Sequence, residues 1–316
     1  MISESMKFLV TGAAGFIGHH LCAVLLRRGF EVWGLDDLSR GFAERVDGLK
    51  DMGMEFVKLD IRDRDGVAEA ISRIRPDVVV HLAALISVPE SFEKPELYRE
   101  VNVEGTRNLV SAANDSHVWR FVYASSAAVY GDPVKLPISE DHPTRPLSPY
   151  GETKLEGERL VLEFFKGDGG AVSLRFFNVY GRGQNPEYAG VITKFIERVR
   201  EGKPPVIFGD GEQTRDFIHV LDVSEAVVRA SEAELDGGDV FNVASGKPVK
   251  IRDLAYMVAR IFDVDLEPIY TDPRPGDIRH SYADISKIQK TLSWRPKIQL
   301  EEGLSALIRS DLNRLS

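Results

Sequence analysis

The sequence predicts an α/β protein in which a doubly wound parallel sheet is followed by a smaller α/β region. Short apolar runs alternate with helical patterns through the first half of the 316 residues. This alternation is typical of βαβ units, in which helices cover both faces of a parallel sheet. The alternation stops after Gly181, where proline and glycine become frequent. We therefore expect two parts, residues 1–181 and 182–316, with short segments near 210–245 returning to the sheet.

Six apolar runs are predicted to form the strands of the sheet: Phe8–Thr11, Val32–Leu35, Glu55–Leu59, Val78–Leu82, Phe121–Ala124 and Val172–Phe176. Helical periodicity in the first part is found near 16–29, 64–74, 94–114 and 149–167. The second part is predicted to contain helices at about 190–201, 222–233, 251–262 and 300–314, and isolated strands near 205–208 and 240–243. We expect this part to pack at the carboxyl edge of the sheet, where open α/β sheets bind ligands.

The composition excludes several classes of function. The net charge is −9 and the sequence has no basic cluster, which argues against a nucleic-acid partner. No apolar run approaches the length of a membrane span, and the first residues lack the pattern of a secretory signal. The only cysteine, Cys22, lies in a predicted helix, and no Cys/His cluster has the spacing of metal ligands. We therefore expect a cytoplasmic protein with neither a membrane partner nor a metal.

The segment TGAAGFIG joins the first predicted strand to the first predicted helix. Its glycines, Gly12, Gly15 and Gly18, would let a pyrophosphate approach backbone N–H groups at the start of the helix. The alternative is a tight turn without a ligand. With the glycines, the residues expected to contact a dinucleotide here are Phe16 and Ile17.

Acidic residues follow at the end of the second strand, about twenty residues further on. Asp36 and Asp37 are placed to bind a ribose diol and to repel a 2′-phosphate, which favours NAD over NADP. Arg40 weakens this preference, because an arginine can accept the phosphate. Leu38 belongs to the same predicted site. The alternative interpretation of the two acids is a solvated turn.

Other strand ends are expected to complete the cofactor site. Asp60 is placed to reach an adenine amino group. The small residues at the end of the fourth strand leave room for the cofactor to lie against this strand. Asn102 is a further candidate, with a polar contact between helix and sheet as its alternative. The remaining residues expected at these strand ends are Ile61, Leu82, Ala83 and Ala84.

A tyrosine and a lysine lie one turn apart in the segment SPYGETK. Ser148 is a good helix N-cap and Pro149 suits the first helical position, so Tyr150 and Lys154 lie on the same face of a helix. The alternative is a phenol packed beside a solvated lysine.

Taken in order, the glycine motif, Asp36, HLAA, SSAAVYG and the Tyr150/Lys154 pair resemble the extended short-chain dehydrogenase/reductase superfamily, from about residue 7 to residue 311. The resemblance implies a Rossmann-type fold and a catalytic trio of Ser126, Tyr150 and Lys154. It also implies that Phe176 contacts the cofactor, where some members have a tyrosine. Tyrosine has a reference pKa of about 10. We expect the lysine ammonium and the cationic nicotinamide to favour the phenolate, and Ser126 to bind the reacting oxygen.

The neighbours of Ser126 indicate which branch of the superfamily this sequence resembles. Related dehydratases carry an Asp-Glu pair there, and related decarboxylases usually a Glu, whereas this chain has Ala127 and Ala128. The sequence therefore resembles the UDP-glucose 4-epimerase family. This implies an isomerase with tightly bound NAD, transient oxidation at C4, rotation of the 4-keto sugar and return of the hydride. The resemblance also implies a homodimer that pairs through the helices near 94–114 and 149–167; the alternative is that both are ordinary sheet-covering helices.

The second part resembles the family's signatures for a UDP-sugar. Arg215 and Arg274 are expected to bind the diphosphate. The other residues that the resemblance assigns to the substrate are Asn178, Val191, Val206, Phe208, Gln213 and Asp277. Family members restricted to unacetylated sugars have a tyrosine at the position of Ser281. The smaller serine predicts that UDP-GlcNAc and UDP-GalNAc are accepted beside UDP-glucose and UDP-galactose.

Three alternatives stay open at this point. The first is an epimerase of UDP-glucuronate or of a UDP-pentose on the same fold. The second is another NAD-dependent nucleotide-sugar oxidoreductase, such as a reductase that releases its cofactor. The third is a non-catalytic NAD-binding sensor, whose mark would be the loss of Tyr150 or Lys154, and both are present.

Overall fold

A seven-stranded parallel sheet forms the centre of the protein. The structure is a computed structural model and describes residues 6–185, 190–235, 237–274 and 276–312. In the order β3-β2-β1-β4-β5-β6-β10, the strands are Glu55–Lys58, Glu31–Asp36, Lys7–Thr11, Val78–His81, Arg120–Ser126, Ala171–Phe176 and Asp239–Val243. The chain order reverses between β1 and β4, and this reversal opens the crevice in which such sheets bind ligands.

Helices cover both faces of this sheet. In chain order they are α1 Phe16–Arg27, α2 Ala43–Asp51, α3 Arg64–Ile74, α4 Val88–Glu93, α5 Pro95–Arg99, α6 Gly105–Asp115, α7 Pro149–Phe164 and α9 Val220–Glu232. Helices α1 and α9 pack together on one face, whereas α3, α6 and α7 pack on the other. The central strands β1, β4, β5 and β6 are almost entirely buried and mostly apolar, as expected for a parallel sheet covered on both sides, whereas the edge strand β3 is partly exposed.

The C-terminal residues build two small sheets with their own apolar core. A three-stranded sheet joins β7 Asn178–Tyr180, β9 Thr214–His219 and β11 Pro248–Lys250, and a two-stranded sheet joins β8 Val206–Phe208 and β12 Ile269–Thr271. The remaining helices are α8 Val191–Arg200, α10 Ile251–Ile261, α11 Ser286–Leu292 and α12 Leu300–Leu312. Apolar side chains of α8, α10 and α12 form a cluster separate from the two at the main sheet.

Several elements differ from the sequence-based expectation. The helix expected near 94–114 is interrupted, because a π-helical turn at Glu100–Glu104 separates α5 from α6. Helices α2, α4 and α11 were not expected from periodicity; they have 9, 6 and 7 residues, which is too short for a clear pattern. The strand near 240–243 is not isolated, since β10 pairs with β6 as the seventh strand of the sheet.

No helix in the described ranges is both long enough and apolar enough to span a membrane.

Candidate active site

A cavity of about 530 Å³ lies at the carboxyl ends of β1 to β6. Its walls come from the turns that follow these strands and from the start of α7. Most of the residues predicted to bind a cofactor or to act in catalysis line it: Gly12, Gly15, Phe16, Ile17, Gly18, Asp36, Asp37, Arg40, Asp60, Ile61, Leu82, Ala83, Ala84, Ser126, Tyr150, Lys154 and Phe176. The fold thus brings together side chains that are far apart in the sequence.

The glycine turn is packed too tightly for larger residues. Gly12 has φ +72, and a Cβ there would lie 2.8 Å from the backbone nitrogen of Ala83. A Cβ on Gly18 would lie 2.0 Å from the Gly12 carbonyl oxygen. Gly15 is the N-cap of α1 and has no side-chain cap, so the first N–H groups of the helix border the cavity. This geometry fits a pyrophosphate, because bare N–H groups at a helix start attract anions.

The carboxylate of Asp36 connects this turn to the end of β2. Its Oδ2 accepts a hydrogen bond from the N–H of Ala14 at 3.0 Å, and its Oδ1 accepts one from the N–H of Leu38 at 2.8 Å. Burial raises the pKa of Asp36, and both hydrogen bonds act in the opposite direction. Each oxygen keeps a second lone pair, which suits the predicted bond to a ribose diol. Leu38, with φ +64, shapes the turn and is not among the residues that line the cavity.

Two arginines pair with acids around the same end of the cavity. Arg62 donates from Nη2 to Asp60 Oδ2 at 2.6 Å, and this side chain holds the pKa of Asp60 below its usual value. Arg40 donates from Nη2 to Glu90 Oε1 at 2.7 Å. The sequence analysis missed Glu90 and Arg62. Glu90 had a recognisable signal, because the segment SVPE starts α4 as a capping box in which the Ser87 hydroxyl accepts from the N–H of Glu90.

Tyr150 lies in the first turn of α7, at the wall of the cavity. The Ser148 hydroxyl caps this helix by accepting from the N–H of Gly151 at 3.1 Å. Ser126, at the end of β5, lines the same cavity. Burial raises the pKa of Tyr150, and the nearby Ser126 side chain lowers it by less. Among the protein's own groups the net direction is thus upward, and the lowering expected from the lysine together with the cationic nicotinamide stays a prediction.

Lys154 is 4% exposed and lines the cavity one turn after Tyr150. Its Nζ lies 4.5 Å from the centroid of the Tyr123 ring. Burial lowers the pKa of Lys154 to about 7, and the charge of Glu158, one further turn along α7, opposes this shift. Part of the lysine charge is therefore lost near neutral pH.

Asn102 lies behind the cavity, in the π-helical turn. Its Oδ1 accepts from the N–H of Leu85 at 2.8 Å, and its Nδ2 donates to the Leu85 carbonyl at 3.0 Å and to Thr153 Oγ1 at 3.1 Å. Asn102 is 1% exposed and is not among the lining residues. It therefore fixes the turn after β4 to α7, which is the polar contact weighed as the alternative.

Apart from Ser126, the residues predicted to bind the substrate are not among those that line this cavity, and they lie around β7, β8 and β9. Arg215 donates to Asp277 Oδ1 at 2.5 Å, and the Arg274 guanidinium lies 3.9 Å from the centroid of the Phe208 ring. Gln213 Nε2 donates to the Phe208 carbonyl at 2.7 Å, while its buried Oε1 has no hydrogen-bond partner among the residues that the structure describes. These contacts bring the side chains predicted to bind the substrate close to one another around β8 and β9.

Four further predicted residues border the same region. Asn178, on β7, donates to the Asp216 carbonyl at 2.9 Å. Ser281 donates its backbone N–H to the Thr214 carbonyl at 3.1 Å, which places it beside β9. Val191 begins α8 and Val206 begins β8.

Comparison with known proteins agrees with this site. Residues 8–244 match the model of the NAD dependent epimerase/dehydratase family. The chain is also 40% identical over 314 residues to the UDP-glucose 4-epimerase of Mycolicibacterium smegmatis, with 98% of this chain and 99% of the relative covered. The chain belongs to the NAD dependent epimerase/dehydratase family.

Solved structures of this family are similar over nearly the whole chain. The UDP-glucose 4-epimerase of Thermotoga maritima, solved with UDP-glucose, has a TM-score of 0.91 at 35% identity and covers 98% of this chain and 100% of its own. The UDP-N-acetylglucosamine 4-epimerase of Methanobrevibacter ruminantium, solved with UDP-N-acetylmuramic acid, has the same TM-score and identity and covers 98% and 99%. The predicted fold class and the predicted cofactor, NAD, are therefore confirmed.

Proposed function

We propose that the chain is an NAD-dependent 4-epimerase of UDP-hexoses, which interconverts UDP-galactose and UDP-glucose. The carrying observation is that Tyr150 and Ser126 line the same cavity as the glycine turn. Ala127 and Ala128 follow Ser126, so these two positions supply no acid or base for elimination. Oxidation and reduction at a single carbon is the chemistry that remains, and the names of the related enzymes support it.

Each residue of the trio has a distinct role in this proposal. Bound NAD supplies a hydride acceptor and donor for C4 of the sugar. Tyr150 removes the proton of the C4 hydroxyl and later returns it, so that proton and hydride leave and come back as a pair. Ser126 orients the same oxygen by a hydrogen bond. Lys154 contributes positive charge one turn away, and its location beside the cavity suits a bond to the nicotinamide ribose.

The C-terminal side would hold the UDP. Arg215 and Arg274 are proposed to bind the diphosphate; Arg215 would exchange part of its contact with Asp277 for phosphate oxygens. The unpartnered Oε1 of Gln213 is an acceptor available to the base. We therefore keep the division into two parts that the sequence predicts. In this proposal residues 1–181 mainly bind NAD, and residues 182–316 mainly bind the nucleotide sugar.

The rest of the predicted UDP-sugar site comes from residues that resemble family contacts. They are Asn178, Val191, Val206, Phe208, Asp277 and Ser281. We propose that the small side chain of Ser281 leaves room for an N-acetyl group at C2, so that UDP-GlcNAc and UDP-GalNAc are also substrates. The similarity to a UDP-N-acetylglucosamine 4-epimerase supports this extension.

We further propose that the protein is a cytoplasmic homodimer. The helices suggested for the contact, α6 and α7, pack side by side on one face of the sheet. A single buried cysteine suits a reducing compartment. Light scattering at micromolar concentration should give twice the mass of the 35.2 kDa chain, and a monomer mass would refute the dimer.

Label retention tests the proposed reaction. UDP-galactose deuterated at C4 should give UDP-glucose that still carries the deuterium at C4, even in the presence of added unlabelled NADH. Loss of the label to the medium would exclude transient oxidation at C4 with return of the same hydride. Retention, followed by mass spectrometry and NMR, would also exclude a reductase that exchanges its cofactor at every turnover.

A further inference from the structure

Arg40 and Glu90 meet at the end of the cavity where Asp36 and Asp37 lie. Arg40 belongs to the loop after β2, four residues beyond Asp36, and Glu90 belongs to α4, after β4. Arg40 Nη2 is 2.7 Å from Glu90 Oε1, and both residues line the cavity. The ion pair therefore joins two walls of the cofactor site.

Glu90 is held in place by more than this arginine. Lys94 Nζ donates to Glu90 Oε1 at 3.1 Å, and the buried Tyr98 hydroxyl donates to Oε2 at 3.1 Å. The Glu90 side chain is 15% exposed. The hydrogen bond from Arg40 is the first cause that lowers the pKa of Glu90, followed in the same direction by those from Lys94 and Tyr98. The carboxylate is therefore charged and fixed at neutral pH.

The charge at this corner decides which dinucleotide fits. A 2′-phosphate carries close to two negative charges and needs a cation, preferably a guanidinium that can bind two oxygens. The arginine of this loop is Arg40, and its guanidinium is engaged by Glu90. Asp36 and Asp37 add negative charge beside it. To bind a 2′-phosphate, Arg40 would have to break its ion pair with Glu90. The Glu90 carboxylate would then stay charged without this partner, which disfavours NADP.

We propose that Glu90 determines the preference for NAD over NADP, because it engages the arginine that would otherwise bind a 2′-phosphate. This inference concerns the cofactor of the proposed reaction and depends only on dinucleotide binding. Removing the carboxylate should remove this contact of Arg40 and make the net charge of the site more positive by one unit. One charge-assisted hydrogen bond gained by NADP corresponds to a change of about tenfold in relative affinity.

The test measures bound nucleotide rather than turnover, so failure of the epimerase proposal would not affect it. Holoenzyme is incubated to equilibrium with equal concentrations of excess NAD and NADP and freed of unbound nucleotide. The bound nucleotides are then released and quantified by chromatography. Glu90→Gln should raise the ratio of bound NADP to NAD by about tenfold over the native protein. Glu93→Gln, the same change at an exposed site of α4, should leave the ratio unchanged.

A double variant identifies the arginine as the responsible group. Glu90→Gln combined with Arg40→Met should return the ratio to that of the native protein. Should Glu90→Gln fail to fold, Glu90→Met removes the charge and keeps an aliphatic chain to pack against Tyr98, and the same shift is expected. An unchanged ratio in the folded single variant would overturn the proposal. A raised ratio that persists in the double variant would overturn it as well.

Discussion

Lys154 places its Nζ 4.5 Å from the centroid of the Tyr123 ring, so the lysine of the proposed trio rests on an aromatic face inside the protein. Such a contact stabilises a cation without hydrogen-bonding it. Tyr150 lies one turn earlier on the same helix and lines the cavity together with Ser126. The two tyrosines thus have different roles: the Tyr123 ring packs against the lysine, and Tyr150 lines the cavity.

Tyr150→Phe should lower kcat for UDP-galactose at least about 100-fold, because it removes the group that transfers the proton. NAD should remain bound, since the ring is kept. Tyr123→Phe is the matched control: it keeps the aromatic face under Lys154 and loses only a 3.4 Å bond to the Lys154 carbonyl. We expect the control to keep activity within about tenfold. Normal turnover by Tyr150→Phe would remove that residue from the mechanism.

The ion pair of Glu158 and Arg175 should contribute far more to stability than a neighbouring pair on the same helix. Its side chains are 3% and 6% exposed and form a bond of 2.5 Å. Glu158→Gln leaves a buried guanidinium without its countercharge, so we expect a loss of about 3 kcal/mol or more in the free energy of unfolding. Glu156, whose pair with Arg99 is 41% and 55% exposed, is the control.

Glu156→Gln should cost less than about 1 kcal/mol, because water screens an exposed pair. Urea unfolding of the two variants beside the native protein measures the difference. Equal losses in the free energy of unfolding would show that burial does not determine how much each ion pair contributes to stability.

Stability should fall in acid partly through His81. Its Nδ1 lies 2.8 Å from Thr11 Oγ1 and its Nε2 lies 2.9 Å from Thr106 Oγ1, and burial, followed by the charge of Lys154, lowers the pKa of His81 to about 3. Between about pH 3 and 6.5 the unfolded chain binds a proton at His81 that the folded chain does not. This residue therefore makes the free energy of unfolding fall by about 1.4 kcal/mol per unit as the pH drops through that window.

Unfolding titrations at several pH values measure this slope. His81→Asn should flatten it, whatever its effect on stability at pH 7. The control is His117→Asn at an exposed position with φ +54, a conformation that asparagine adopts readily, and it should keep the native slope. An identical slope in His81→Asn and in the native protein would contradict a neutral His81.

Ser281→Tyr should abolish turnover of UDP-GalNAc and UDP-GlcNAc while UDP-galactose and UDP-glucose are still converted. The larger ring would fill the space proposed for the N-acetyl group at C2. Measuring kcat/KM for all four substrates in the native protein and in the variant checks this. Ser286→Tyr, an exposed serine of the same segment, serves as the control. Equal losses on both substrate pairs would refute the gatekeeper role.

Sequence patterns were sufficient to predict a site residue wherever its position depends on one strand, one turn or one helix start. The glycine turn, Asp36 and the Tyr150/Lys154 pair follow from local spacing, and the fold brings them to one cavity. The position of Asn102 did not follow from sequence, because a π-helical turn rotates it toward Leu85 and Thr153.

The ion pair between Arg40 and Glu90 could not be predicted from the sequence either. The two residues are 50 positions apart, and Glu90 lies in a six-residue helix that is too short to give a periodic pattern. The pKa of Tyr150 in the protein alone depends on how deeply the tyrosine is buried, and spacing along a helix does not determine burial.

The most direct test of the proposed function is an NMR assay of purified protein with UDP-galactose and no added cofactor. We predict that UDP-glucose appears and approaches a constant ratio to UDP-galactose, because NAD stays bound through turnover. Addition of free NAD should change the rate little. Absence of UDP-glucose, even with NAD supplied, would contradict a 4-epimerase of UDP-hexoses.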